Sequence, residues 1–386
     1  MRVRDEFYTE QLDPVLAALL PKELEEVRTR ALNTKLARLI GIGDIGLRAF
    51  FSIAAAIDRL VINENPEAVL ITGAPFYPML LSRRIQRRYC IPVVLDFQDP
   101  WVSAFGATQP RWSKAGIAHL LGVALEPVAL KNASFITSVS DIQNDEMRAR
   151  HPWLDAASMA AIPIGGDPED YSSLNKGDTH NDGTVTLRYI GAFWPRAEDN
   201  FRLFFRGVAA FRKANPSLSR RLRLEFVGTY SGVPREDVPR PIARIANEEG
   251  VGSLVVERPQ RVPFTEALSL MACADRLLLI GSDEPHYTAS KIFPALMSGR
   301  PFLSLYHAHS SAHAILAKAG GGYSISYDPR ARDGLVSQIV EGLEALIERP
   351  EILGRADPSI VQPYSANAIA GQFAQIFDGV ARRGVD

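Results

Sequence analysis

A chain of 386 residues can build two full hydrophobic cores, and two or three domains are expected. With 43 Lys and Arg against 44 Asp and Glu, the formal charge is -1, which lacks the basic excess of a general nucleic-acid binder. Two cysteines, Cys90 and Cys273, in apolar surroundings fit a reducing compartment, and no apolar run reaches the roughly 18 residues of a membrane span, so a cytoplasmic protein is expected.

Residues 1–60 read as charged helices with no apolar strand pattern. From residue 68 onward, short β-rich runs alternate with helical patterns, the signature of parallel sheets with crossover helices. The first half offers Ala68–Thr72, Pro92–Phe97, Ser134–Val139 and Met159–Ile164 as strands. Gly73 opens a small-residue turn after the first of these, where a ligand could approach the backbone. Arg83, Arg84, Arg87 and Arg88 then form like-charged pairs at i, i+4, which call for anionic compensation from acidic neighbours or lipid headgroups. Asp96 and Asp99 follow at the carboxyl end of the second run, the ligand side of a parallel sheet, where a carboxylate can act as a base. Ser140 and Asp141 stand where a helix N-cap is expected.

The polar stretch Asp167–Gly183 has linker composition. Beyond it, strands are expected at Val185–Ile190, Leu222–Val227, Ser253–Glu257, Arg276–Ile280, Phe302–Leu305 and Tyr323–Tyr327. Between the fourth and fifth of these lies Ser282–Pro301, a polar loop with Thr288 and Ser290 leading into a short helix that opens near Lys291 and ends at Gly299. Hydroxyls and one lysine at a helix N-terminus after a strand make an anion site, and diphosphate is the obvious anion. His307, His309 and His313 fall short of a metal-ligand set, and no metal or other cofactor is expected. A final amphipathic helix, about Ser365–Val380, carries Ile369, Phe373, Ile376 and Phe377.

The run Lys291–Pro301 resembles the donor-binding stretch of family 4-like glycosyltransferases of the GT-B, two-Rossmann-domain type. The departure is that Pro294 and His286 stand where that family carries its ribose-binding glutamate and that residue's partner. Gly191 to Arg196 resembles the turn facing the donor phosphates, with Arg196 in the arginine's place. Glu257–Asp275 resembles the segment cradling the base, which implies Arg258, Pro259 and Val262 around it. The Asp-Phe-x-Asp-Pro-Trp run at Asp96–Trp101 is similar to one on the family's acceptor side.

The resemblance implies an α/β fold of two Rossmann-like parallel-sheet domains facing a cleft. The expected divisions are an acceptor-side domain at 1–170, a nucleotide-sugar domain at 184–363, and a helix at 364–386 crossing back to the first. Because the family opens with a strand–helix–strand unit, the first domain is expected to begin part-way in. A metal-independent transfer of sugar from a nucleotide-sugar donor to a glycan or lipid-linked acceptor follows as the expected activity, in cell-envelope polysaccharide synthesis. Asp99, Arg196 and Lys291 are the expected catalytic residues, and a peripheral contact with the inner face of the membrane is expected with such an acceptor. A non-catalytic binding or assembly subunit and a sugar-nucleotide epimerase share the architecture and remain as alternatives.

Overall fold

The computed structural model describes residues 1–8, 13–39, 41–172, 174, 183–230, 232, 237–283 and 290–383. The chain divides into two units. The first comprises 1–12, 20–164 and 370–386, and the second 13–19 and 165–369. Expected near 170 and 363, the changes of unit fall after Ile164 and Ile369, and the short segment Asp13–Leu19 groups with the second unit. There the Asp13 carboxylate accepts hydrogen bonds from the backbone of Val15 and Leu16, capping its own helix, and from Phe264 N at 2.8 Å.

Residues 1–60 are not helices alone. Strands β1 (Arg2–Val3) and β2 (Arg28–Thr29) pair in parallel beside the 20-residue helix Ile45–Glu64. Two-residue strands, each opening on an arginine, are too short to carry an apolar period, so sequence pattern passes over them. Arg48, on the helix, is buried and ties the segment together. Its guanidinium donates to the carbonyls of Leu32 (3.1 Å) and Phe7 (2.6 Å) and to the Thr34 hydroxyl (2.5 Å).

The main sheet of the first unit contains β3 (Val69–Gly73), β4 (Val93–Phe97), β5 (Phe135–Ser138) and β6 (Met159–Ala161), all parallel and in chain order. The central strand β4 is buried along its whole length and is apolar but for Asp96, whereas the edge strand β3 alternates exposed and buried positions. Met79, Ile85, Leu95, Phe97 and Ile136 form the centre of its core.

The second unit holds six parallel strands: β7 (Val185–Ile190), β8 (Leu222–Val227), β9 (Val255–Arg258), β10 (Arg276–Ile280), β11 (Phe302–His307) and β12 (Gly322–Tyr327). Their order is β12-β11-β10-β7-β8-β9, so the sequence starts at the middle, runs to one edge, then returns to build the other side. This is the doubly wound Rossmann arrangement. Phe201, Phe204, Phe205 and Phe211 of the helix Glu198–Ala214 pack against Phe226 and Tyr189 of the sheet. Full burial of each phenyl ring contributes roughly 1.5–3 kcal/mol. Gly207 lets this helix approach Leu335–Glu348, since a methyl there would lie 2.6 Å from Cβ of Ile339.

Candidate functional site

The order of the second sheet reverses between β7 and β10, its two central strands. The connections leaving neighbouring strands there diverge to opposite faces, and the crevice beyond their carboxyl ends is where such sheets bind ligands. Two segments leave at this point: the turn Gly191–Ala197 after β7 and the stretch after β10, described at Gly281–Asp283 and again from Ser290.

They meet at one contact. A Cβ on Gly191 would collide with Nζ of Lys291, so the lysine tip rests on bare backbone. The turn is held by the Tyr189 hydroxyl, which donates to Ala192 O at 3.1 Å. The adjoining floor is a hydrogen-bond chain. Asn200 Nδ2 donates to Gly281 O (2.9 Å) and contacts the Tyr327 hydroxyl, which in turn reaches Ser282 O (2.9 Å) and Asp283 Oδ1 (2.7 Å).

Lys291 keeps solvent-accessible surface, yet the protein around it removes much of its bulk water. This desolvation, helped by the charge of Arg261, lowers its pKa from 10.5 to about 8. An ammonium set beside another cation and short of water is stabilised by an arriving anion. Lys291 stands directly before the helix Ile292–Met297, with Pro294 in its first turn, as the sequence predicts. The helix has only six residues, so its dipole adds little and the positive charge comes from side chains.

Arg196 is half-buried on the turn that continues from Gly191, and Ser290 immediately precedes Lys291. Val262 packs on the apolar cluster around Val227 and Phe293. Pro259 O accepts from Tyr230 N at 2.9 Å. Arg258 is engaged in the sheet: Glu225 bridges it at 2.9 Å and Arg188 at 2.7 Å. His286 and Thr288 lie outside the described residues. Arg261 was not singled out by the sequence, because a lone arginine in a Pro-rich loop carries no pattern.

In the first unit, Asp99 is exposed on the turn after β4. Asp96 is buried instead. Its carboxylate accepts from Thr137 on β5 (2.8 Å) and from Gln98 (2.5 Å), with Thr72 of β3 as a further partner, and burial raises its pKa. Those bonds bind three adjacent strands together. Gly73 also has a packing reason: a side chain there would press to 2.8 Å on Met79 and Phe76. Of the arginine row, Arg84 forms a two-pronged pair with Asp58 at 2.9 and 2.5 Å, and Arg88 lies 3.8 Å from the same carboxylate. Acidic compensation thus reaches two of the four.

Among the described residues, no group of three or more His, Cys, Asp or Glu side chains could hold a metal ion. Nδ1 of His307 accepts from His309 N at 3.1 Å. Two recesses lie elsewhere. One of about 300 Å³ separates Phe135 and Ala160 from Gln372 and Ile376, and one of about 500 Å³ lies between Asp167–Glu169 and Leu296–Met297. Neither is lined by Gly191, Arg261 or Lys291.

No protein-family model matches the chain, and no curated protein sequence matches it. Solved structures do. A UDP-forming α,α-trehalose-phosphate synthase from Burkholderia xenovorans matches at 12% identity with a TM-score of 0.62, covering 93% of this chain and 90% of that one. A glycosyltransferase from Rickettsia africae matches at 11% identity and TM-score 0.55, over 85% and 80% of the two chains. The pneumococcal O-GlcNAc transferase, solved with UDP and GlcNAc, matches at 13% identity and TM-score 0.57, over 87% and 60%. At such identities the likeness is one of fold: these neighbours are GT-B glycosyltransferases, and this chain shares their two-unit parallel α/β architecture.

Proposed function

We propose that the protein is a glycosyltransferase that takes a sugar from a nucleotide-sugar donor and passes it to a glycan or lipid-linked acceptor. The supporting observation is the contact between Lys291 and Gly191 at the reversal point of the second sheet. A diphosphate beyond the strand ends would meet an ammonium, unobstructed backbone and the Arg261 guanidinium.

In the transfer, the acceptor oxygen forms a bond to the anomeric carbon as that carbon's bond to the diphosphate oxygen breaks. The bonding electrons leave with the nucleoside diphosphate, and Lys291, Arg261 and Arg196 offset the growing charge. Positive groups fixed in place before the charge develops usually contribute more to such catalysis than any other effect. Asp99 is the carboxylate we assign to the acceptor hydroxyl, taking up its proton. Pro294, whose carbonyl accepts from the Tyr171 hydroxyl at 2.8 Å, offers no carboxylate to a ribose, so the nucleoside would be held by groups unlike the family's glutamate pair. Cell-envelope polysaccharide synthesis, on the inner side of the membrane, is the setting we infer from the family resemblance.

The test is turnover. The purified chain is incubated with a panel of nucleotide sugars, and release of nucleoside diphosphate is followed with and without lipid-linked or glycan acceptors. Calorimetric titration accompanies it. Lys291→Ala should weaken nucleoside diphosphate binding by roughly 10- to 150-fold, the weight of a charge-assisted contact. Unchanged affinity in both Lys291→Ala and Arg261→Ala would mean that the diphosphate is held elsewhere.

A further inference from the structure

The helix Lys114–Leu130 of the first unit has an inner, buried face and an outer one. The inner one carries Gly122, Ala129 and the carboxylate of Glu126, all buried, the last paired with Arg150 and His151, so it is the outer face that is wholly apolar. On the opposite side, Ile117, Leu120, Leu121 and Ala124 follow the i, i+3, i+4, i+7 spacing of a single stripe and face solvent. The three larger side chains keep 42–48% of their surface exposed. Trp112, on the turn leading into the helix, is 93% exposed, and Phe105 on the preceding short helix is exposed as well. A core-facing helix ordinarily turns charge toward water, so an apolar outer stripe marks a surface made to be covered.

Charge indicates the cover. From Pro100 to Leu125 the sequence contains no Asp or Glu, while Arg111 and Lys114 stand at the head of the stripe and are exposed. Indole, exposed aliphatic residues and cations without carboxylates match the headgroup boundary of an anionic bilayer. The stripe from Ile117 to Ala124 runs about 10 Å at 1.5 Å per residue, far short of a bilayer core. Among the described residues no helix is long and apolar enough to cross a membrane. The segment is also firmly seated. Ser113 caps the helix through Gly116 N at 3.0 Å, and a side chain on Gly106 would run into His119, so the short helix before it packs closely.

We infer that the face formed by Trp112, Ile117, Leu120 and Leu121 docks on an anionic lipid surface, lying in its interface. It differs from the arginine row at Arg83–Arg88, half of whose charge Asp58 already engages. The inference stands on exposure and charge alone and does not require the transfer reaction.

Flotation of the full chain with phosphatidylcholine vesicles, and with vesicles containing about 30% phosphatidylglycerol, tests it. The chain should float with the anionic vesicles, less so at high salt, and its tryptophan emission should shift to the blue. Leu120→Glu with Leu121→Glu should cut the bound fraction roughly tenfold or more, because a charge does not enter the acyl boundary readily. Arg111→Glu with Lys114→Glu should abolish the preference for anionic lipid, whereas Arg83→Glu with Arg87→Glu should float like wild type. Nucleoside diphosphate binding should be unchanged in all three, which separates this surface from the donor site. Three results would overturn the inference: no flotation with either vesicle, wild-type flotation of the double leucine variant, or a solution dimer that those leucine substitutions make monomeric.

Discussion

At the scale of single residues, Lys291 sets the clearest expectation. Its folded pKa of about 8 lies below the ordinary 10.5, so the fold disfavours its charged form. That cost is fully present below about pH 8 and is relieved as pH rises from there toward 10.5, so Lys291→Met should not destabilise the empty protein at pH 7. Anion binding runs the other way, because the ammonium attracts diphosphate only while it holds its proton. Affinity for nucleoside diphosphate should fall about tenfold between pH 7 and 9, following the protonated fraction of a group titrating near 8. Calorimetry across that range checks this, and a slope that persists in Lys291→Met would assign it to another group. Gly191→Ala addresses the same contact from the backbone side. The new methyl would displace the flexible lysine tip, so the melting temperature should barely move while affinity drops by roughly an order of magnitude. The two aspartates after β4 should separate as well. Asp96→Ala would strand the Thr137 hydroxyl and the Gln98 amide and cost about 1–3 kcal/mol in denaturant unfolding, whereas Asp99→Ala should lower transfer.

At the scale of elements, the ten strands of the two main sheets were legible because short runs rich in β-branched and other apolar residues recur between helical patterns, as parallel sheets require. What pattern could not convey was direction and partner. The run Val93–Phe97 shows where Asp96 is, but not that Thr72 and Thr137 arrive beside it from neighbouring strands. In the same way Lys291 and Gly191, 100 positions apart, were each readable from local features, while Arg261 became visible only through its effect on Lys291. The arginine helix Leu81–Tyr89 shows how a like-charged row is accommodated. Asp58 faces Arg84, Arg88 and the Tyr89 hydroxyl, and those partners lower its pKa from 3.8 to about 2. Its contribution is therefore complete above about pH 4 and disappears as pH falls toward 2. Asp58→Asn should reduce stability by about 1 kcal/mol at pH 7, the scale of a partly exposed ion-pair network, and the deficit should close as pH falls through that window. Urea unfolding at pH 7 and at pH 2.5 measures the difference, and an equal deficit at both would show that packing, not charge, holds Asp58.

At the scale of the whole molecule, each unit has a core of its own: Ile85, Leu95 and Phe97 lie at the centre of one, and Phe201, Phe205 and Phe226 in the other. Separate cores of this size can melt as separate cooperative steps. Phe226→Ala would open a cavity beside Phe201 and Phe205, and Ile85→Ala one beneath β4, each costing about 2–5 kcal/mol to its own unit. These two variants therefore label the two steps in a calorimetric scan of the full chain. The proposed diphosphate ligands, Gly191, Arg261 and Lys291, all belong to the second unit. Nucleoside diphosphate at about 100 times its dissociation constant stabilises whatever binds it by about 2.7 kcal/mol. The step that Phe226→Ala lowers should accordingly be the step that nucleotide raises, and Lys291→Ala should remove most of that rise without shifting the scan of the empty protein. A rise confined to the step that Ile85→Ala lowers would place the nucleotide on the first unit and remove the basis for reading the β7–β10 reversal point as the donor site.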